Sequence, residues 1–84
     1  MHFLHILSAR HAGGYRLTLE FSDGSLGEAD LAAELDGAVF EPLRDIDFFQ
    51  QFQITGSTVE WPNGADFAPE FLHQLAFGHE TVLA

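Results

Sequence analysis

The run Tyr15-Arg16-Leu17-Thr18-Leu19-Glu20-Phe21 alternates without a break, apolar at every odd position and polar between. Successive side chains of a strand point to opposite faces, so this pattern belongs to a strand with one dry and one wet side. Ser22-Asp23-Gly24-Ser25 follows at once. Asp-Gly between apolar runs is a hairpin signal, because glycine accepts the positive φ such a turn requires. Leu26 to Asp30 is therefore expected to return as another strand. Upstream, residues 3–11 are short and β-friendly and run into Ala12-Gly13-Gly14, a further turn. Three adjacent segments thus predict an antiparallel meander.

After Asp30 the period changes. Leu31-Ala32-Ala33-Glu34-Leu35 reads as one or two helical turns, with Asp30 as N-cap and Gly37 as stop. Phe40 and Leu43 anchor the connection that follows. Residues 45–52 read as a second short helix, with Asp47 and Gln50 at capping-box spacing and Phe48, Phe49 and Phe52 on one side. Gln53 to Trp61 reads as strand, tight turn at Gly56-Ser57, and strand. Pro62 ends it, having no amide for a ladder. Asn63-Gly64 turns the chain, Asp66 is read as the cap of a last helix near 68–76, and Pro69 suits its first turn. The expectation is one small two-layer α+β domain over residues 1–84, an antiparallel β-meander followed by short helices, further strands and a C-terminal helix. Its expected core is Leu4, Ile6, Leu17, Leu19, Phe21, Phe40, Leu43, Phe48, Phe52, Val59, Trp61, Leu72 and Leu75.

Charge narrows the function. Thirteen Asp and Glu face only Arg10, Arg16 and Arg44, with no lysine, for a formal net charge of −10. Phosphate backbones and anionic lipid repel such a surface, so direct nucleic-acid or membrane binding is not expected. The acidity has two readings, solubility and attraction to a basic partner protein. No apolar run approaches the roughly 20 residues of a membrane span. Cysteine is absent, which removes disulfides, thiolate nucleophiles and cysteine zinc sites and accords with a reducing cytoplasm. Met1 to Leu7 lacks a basic region and a long apolar core, so it does not read as a signal peptide and a cytoplasmic protein is expected.

Catalytic constellations are equally scarce. His5 and His11 share a strand face but lie about 20 Å apart along it at ~3.3 Å per residue. His2 points opposite to His5, and a helix stop separates His73 from His79. Neither the histidine spacing, the serine contexts nor the glycine turns match a metal, nucleophile-elbow or phosphate-loop pattern. No metal, no cofactor and no enzymatic activity are expected.

The remaining concentration of specialised residues is Trp61-Pro62-Asn63-Gly64-Ala65-Asp66-Phe67-Ala68-Pro69-Glu70-Phe71. Trp61, Asn63, Gly64, Asp66 and Glu70 are its candidate binding residues. Three of them have a structural reading beside the functional one. Trp61 suits a core or a pocket wall, Asn63 the left-handed turn position, and Asp66 the helix cap.

This run resembles the signature of a family of small bacterial proteins, domain-of-unknown-function family 2442. The resemblance extends to the hairpin Tyr15–Asp30 and to Phe40-Glu41-Pro42-Leu43-Arg44-Asp45 with Phe48, so it spans most of residues 3–76 in order. It implies a compact α+β domain with a mainly antiparallel sheet and no established catalytic residues. Some relatives carry a helix-turn-helix module after this domain, and some lie beside small genes as toxin–antitoxin pairs do. This chain ends near where such a module would begin. Composition and resemblance together lead to a non-enzymatic protein-interaction or regulatory module, one member of a toxin–antitoxin-like pair. The alternative is a small-molecule-binding sensory domain with a pocket near Trp61–Glu70. The N-terminal segment is apolar on both faces (Phe3, Leu4, Ile6, Leu7), and nine Phe are many for so small an interior. A homodimer, or docking of a small basic partner, is therefore expected around residues 3–7 and the tail 81–83.

Overall fold

The computed structural model describes residues 4–78. Strands β1 (Ile6–His11), β2 (Arg16–Phe21) and β3 (Leu26–Asp30) form the expected antiparallel meander in the order β1-β2-β3. Two 3-10 turns (Ala32–Glu34 and Glu41–Arg44) and a single helical turn α1 (Ile46–Phe49) lead to a two-stranded sheet, β4 (Gln53–Thr55) and β5 (Thr58–Glu60). Helix α2 (Pro69–Phe77) closes the fold and packs on β3. The α+β class and its element order are as the sequence predicts. No helix among the described residues is long and apolar enough to cross a membrane.

The alternation in β2 sets the two faces of the large sheet. Leu17, Leu19 and Phe21 are fully buried, joined from β3 by Ala29 and from β1 by Ile6. Arg16, Thr18 and Glu20 face outward with Ser8, Arg10, Leu26, Glu28 and Asp30, a polar surface on which Arg16 meets Glu28 at 3.7 Å. The apolar start of β1 fits this scheme through a bulge. Ile6 pairs with Phe21 but Ser8 with Glu20, so Leu7 is an extra residue in the ladder. Ile6 turns inward and Leu7 is left 56% exposed. The expected need to cover a second apolar face thus shrinks to Leu7 on this strand. Phe3 and the tail 81–83 lie outside the described residues.

Four other expectations change in detail. The helix expected over 45–52 is one turn, and Asp45, not Asp47, caps it by accepting from the Asp47 amide at 3.0 Å. That register buries Phe49 completely and leaves Phe48 and Phe52 half-buried at the core margin, where Leu4, Phe40 and Leu75 also sit. Asp30 does bind the amide of Ala32 at 3.0 Å, but the turn it starts is 3-10 and three residues long. Asp66 does not cap α2. It lies in an isolated antiparallel bridge with Glu60, and the cap position falls to Ala68, which has no side-chain acceptor. Pro69 at the first helical position removes one of the orphan amides instead. Leu31, Leu35, Ala65 and Phe67 also belong to the core, contributed by connecting segments rather than by periodic elements.

Gly27 has a packing role. A Cβ built on it would stand 2.7 Å from Cζ of Phe77 and 3.1 Å from Cβ of Ala76, so α2 approaches the sheet where a side chain is missing. Gly27→Val is expected to cost about 1–3 kcal/mol by overpacking this contact. A denaturant midpoint equal to that of the parent would show that the helix gives way freely.

Candidate functional site

Trp61 to Glu70 begins as a hairpin. The Gly64 amide donates to the Trp61 carbonyl at 2.9 Å, and the Trp61 amide donates to Ala65 at 2.9 Å. Gly64 takes φ of +89°, so the left-handed residue is the glycine and not Asn63. Asn63 instead braces the turn. Its Oδ1 accepts from the Ala65 amide at 3.1 Å, and its Nδ2 donates to the carbonyl of Val39 at 2.8 Å. The β2–β3 turn repeats the pattern. Gly24 there has φ of +90° and donates to the Phe21 carbonyl, while Asp23 Oδ1 accepts from the Ser25 amide at 2.9 Å. Both are type I turns with a glycine bulge, locked by an Asx side chain.

Trp61 is 2% exposed. Its indole N–H donates to the Phe49 carbonyl at 2.8 Å, and its ring lies among Phe49, Phe52 and Phe67 at centroid distances of 5.7, 6.1 and 5.9 Å. An open, shallow pocket of about 260 Å³ is lined by Gln53, Thr55, Glu60, Trp61, Pro62 and Gly64. Of the five candidate residues, Trp61 and Gly64 reach it. Asn63 is engaged by Val39, and Asp66 and Glu70 stand exposed on other parts of the segment. Thr58 Oγ1 donates to the Phe67 carbonyl at 2.6 Å, fastening the stretch before α2 to β5. Asp66→Ala, which removes no cap bond, is expected to change stability by less than about 0.5 kcal/mol. A loss above 1 kcal/mol in urea unfolding would restore a structural role to that carboxylate.

A second polar cluster was not visible in the sequence. Ser25 and Asp23, on the β2–β3 turn, meet His73 of α2. Ser25 Oγ donates to Asp23 Oδ1 at 2.6 Å, while His73 Nε2 lies 3.4 Å from Ser25 Oγ and 3.4 Å from Asp23 Oδ2. The residue types are those of a hydrolytic triad, but the geometry is not. A relay needs serine on one imidazole nitrogen and the carboxylate on the other. Here both oxygens address Nε2, and the Ser25 hydroxyl already donates to Asp23. The imidazole packs against Phe21 and Phe77 at 4.8 and 4.5 Å, so the cluster pins the hairpin to the helix.

The Ser25 hydroxyl, then the Ser25 amide, and the nearby His73 imidazole hold the Asp23 carboxyl below its ordinary value. A depressed carboxyl stabilises the fold above its unfolded pKa and loses that contribution as pH falls through its folded pKa. Asp23→Asn is therefore expected to flatten the acid limb of stability below about pH 4. Urea midpoints measured from pH 2 to 6 test this, and an unaltered acid limb would reject it. Among the described residues, no group of three or more His, Asp or Glu could hold a metal ion.

The family comparison spans nearly all of this architecture. The sequence pattern of the family described as "Protein of unknown function (DUF2442)" covers residues 6–78, from β1 through α2 and its left-handed Gly78 cap. The chain belongs to the DUF2442 family. Both Asx-locked turns, the pocket and the Asp23–Ser25–His73 cluster lie inside the matched region. One solved structure of similar fold is that of the Nitrosomonas europaea protein NE0471, whose crystal structure is named as that of a "Putative DNA Binding Protein". It superposes with a TM-score of 0.79 at 22% identity over 93% of this chain. This chain spans only 52% of that protein, so the likeness concerns the fold of about half of it. No curated protein matches the chain.

Proposed function

We propose that this DUF2442 domain is a non-enzymatic, cytoplasmic interaction module that binds and regulates a basic partner protein, as one member of a toxin–antitoxin-like gene pair. The observation that carries this reading is the placement of charge. No charged or polar side chain is buried among the described residues, so their carboxylates lie at the surface of a chain in which Asp and Glu outnumber arginine 13 to 3. A field of that sign draws a basic protein and raises its association rate. It repels phosphate, so the DNA-binding name of NE0471 is not extended to these residues, which match 52% of that protein. The test is co-expression with the product of the neighbouring gene, followed by calorimetry at two salt concentrations. Co-purification of a basic protein whose affinity falls with salt is the expected result. Recovery of no basic partner would overturn the reading.

The pocket beside Trp61 favours a second reading, a small-molecule sensor using Gln53, Thr55, Glu60 and the Trp61–Gly64 turn. A ligand that binds only the folded state raises the melting midpoint, so a thermal-shift screen of polar metabolites decides it. The exposure of Leu7 keeps a homodimer through residues 3–7 in view as an alternative assembly. Sedimentation at high and low salt separates the two: screening should tighten a dimer of chains each carrying −10.

A further inference from the structure

We propose that the outer edge of β3, Leu26 to Asp30, is the docking site, where a basic partner adds an extended strand to the sheet. The inference rests on the interaction-module reading and specifies its surface. Register identifies the free groups. The Phe21 amide donates to Ser25 and the Leu31 amide to Tyr15, so the hydrogen-bonded pairs of β2 and β3 fall at the odd positions, with Gly27 opposite Leu19 and Ala29 opposite Leu17. The N–H and C=O groups of Leu26, Glu28 and Asp30 therefore point away from β2. Among the described residues none of them takes part in a backbone hydrogen bond outside the sheet.

Exposed edges are normally guarded by shortness, a bulge, a proline, charged side chains or a cover. The opposite edge, β1, has two of these: the bulge at Leu7 and the bond from the Ile6 amide to the Ser57 carbonyl at 2.8 Å. Strand β3 has a regular register over five residues and no proline; its guard is the charge of Glu28 and Asp30, which a basic strand neutralises. Apolar surface flanks it on both sides. Leu26 is 66% exposed on the outer face, and Phe77, 41% exposed, lies against Gly27 on the inner face.

Charge selects the occupant. Glu28 and Asp30 stand on the outer face of the edge, with Glu20 behind them opposite Leu26, and Arg16 lies 3.7 Å from Glu28. A second copy of β3 would set carboxylates against carboxylates in chains that each carry −10. Like charges facing across a strand pair are destabilising. The fitting strand carries an apolar residue against Leu26 and Lys or Arg toward Glu28 and Asp30. Main-chain bonds to the edge supply affinity and the alternating side chains supply selection.

Two synthetic peptides test the site on the full chain, an alternating Lys-Val octamer and its Glu-Val counterpart, followed by amide NMR and hydrogen exchange. Expected are shifts and slowed exchange at Leu26, Glu28 and Asp30 with the Lys peptide alone. Glu28→Pro, which removes an edge amide outside the ladder, should abolish them. The double change Glu28→Lys with Asp30→Lys, which leaves the backbone intact, should weaken binding about tenfold or more. Shifts centred on Trp61–Glu70, equal binding of both peptides, or dimerisation through β3 would each overturn the proposal. A natural basic partner that binds the double variant with undiminished affinity would also overturn it while leaving the interaction reading intact. Failure to recover any basic partner counts against that broader reading, and the peptide titration still decides the edge.

Discussion

Trp61→Ala is expected to cost about 3–5 kcal/mol, the range for truncating a large buried aromatic side chain. Domains of this kind hold only about 5–15 kcal/mol in total, so the variant should be largely unfolded at modest denaturant. Two separable losses make up the effect. One is the packing of the indole among Phe49, Phe52 and Phe67. The other is the bond from its N–H to the Phe49 carbonyl at 2.8 Å, which links the residue just after β5 to α1. Trp61→Phe keeps most of the first and deletes the second, so a smaller loss of about 1–3 kcal/mol is expected from the stranded carbonyl. Far-UV circular dichroism in urea is the suitable probe, because both variants lose the chain's single tryptophan. Near-equal midpoints for Trp61→Ala and the parent would show that this ring is not a keystone of the fold.

Phe49→Ala should be comparably severe, at about 3–5 kcal/mol, while Phe48→Ala should cost clearly less. Phe49 is fully buried and meets Tyr15 edge-to-face at 5.4 Å and His11 at 5.9 Å, so its loss opens a cavity under the meander. Phe48 lies at the margin and keeps part of its surface in water. Tyr15 tightens the same junction by donating from its hydroxyl to the Arg44 carbonyl, just before the cap Asp45. Paired denaturation curves for the two alanine variants decide the register of α1. Equal losses, or a larger loss at Phe48, would mean that the turn presents the wrong phenylalanine to the core.

The large sheet was legible because its signals are local. Period-two alternation over Tyr15–Phe21 determines which face of β2 is dry, and only backbone geometry is needed to read it. Asp23-Gly24 and Asn63-Gly64 mark hairpins because glycine alone occupies positive φ without a steric cost. Pro69 and Gly78 bracket the last helix for the same kind of reason. The acidic surface is legible as well, since a net charge of −10 on one small domain has nowhere else to go.

Tertiary structure decided the rest. Of two adjacent phenylalanines in a one-turn helix, periodicity could not choose, and the choice fell to the Asp45 cap and the space between Tyr15 and Trp61. The apolar run at the start of β1 gave no sign of the bulge at Leu7, which exists because Ile6 must enter the core while Ser8 must stay outside. Asp66 had the residue type and spacing of a helix cap, yet pairing with Glu60 carried it into the hairpin. Within the candidate site, Asn63 found its partner 24 residues away at Val39, and His73 met Ser25 across 48 residues. Gly27 looked like an ordinary strand glycine until Phe77 was packed on it. Local backbone preferences are written into a few neighbouring residues. Which side chains meet across long loops depends on how the whole chain closes around its core, and that is a property of the fold.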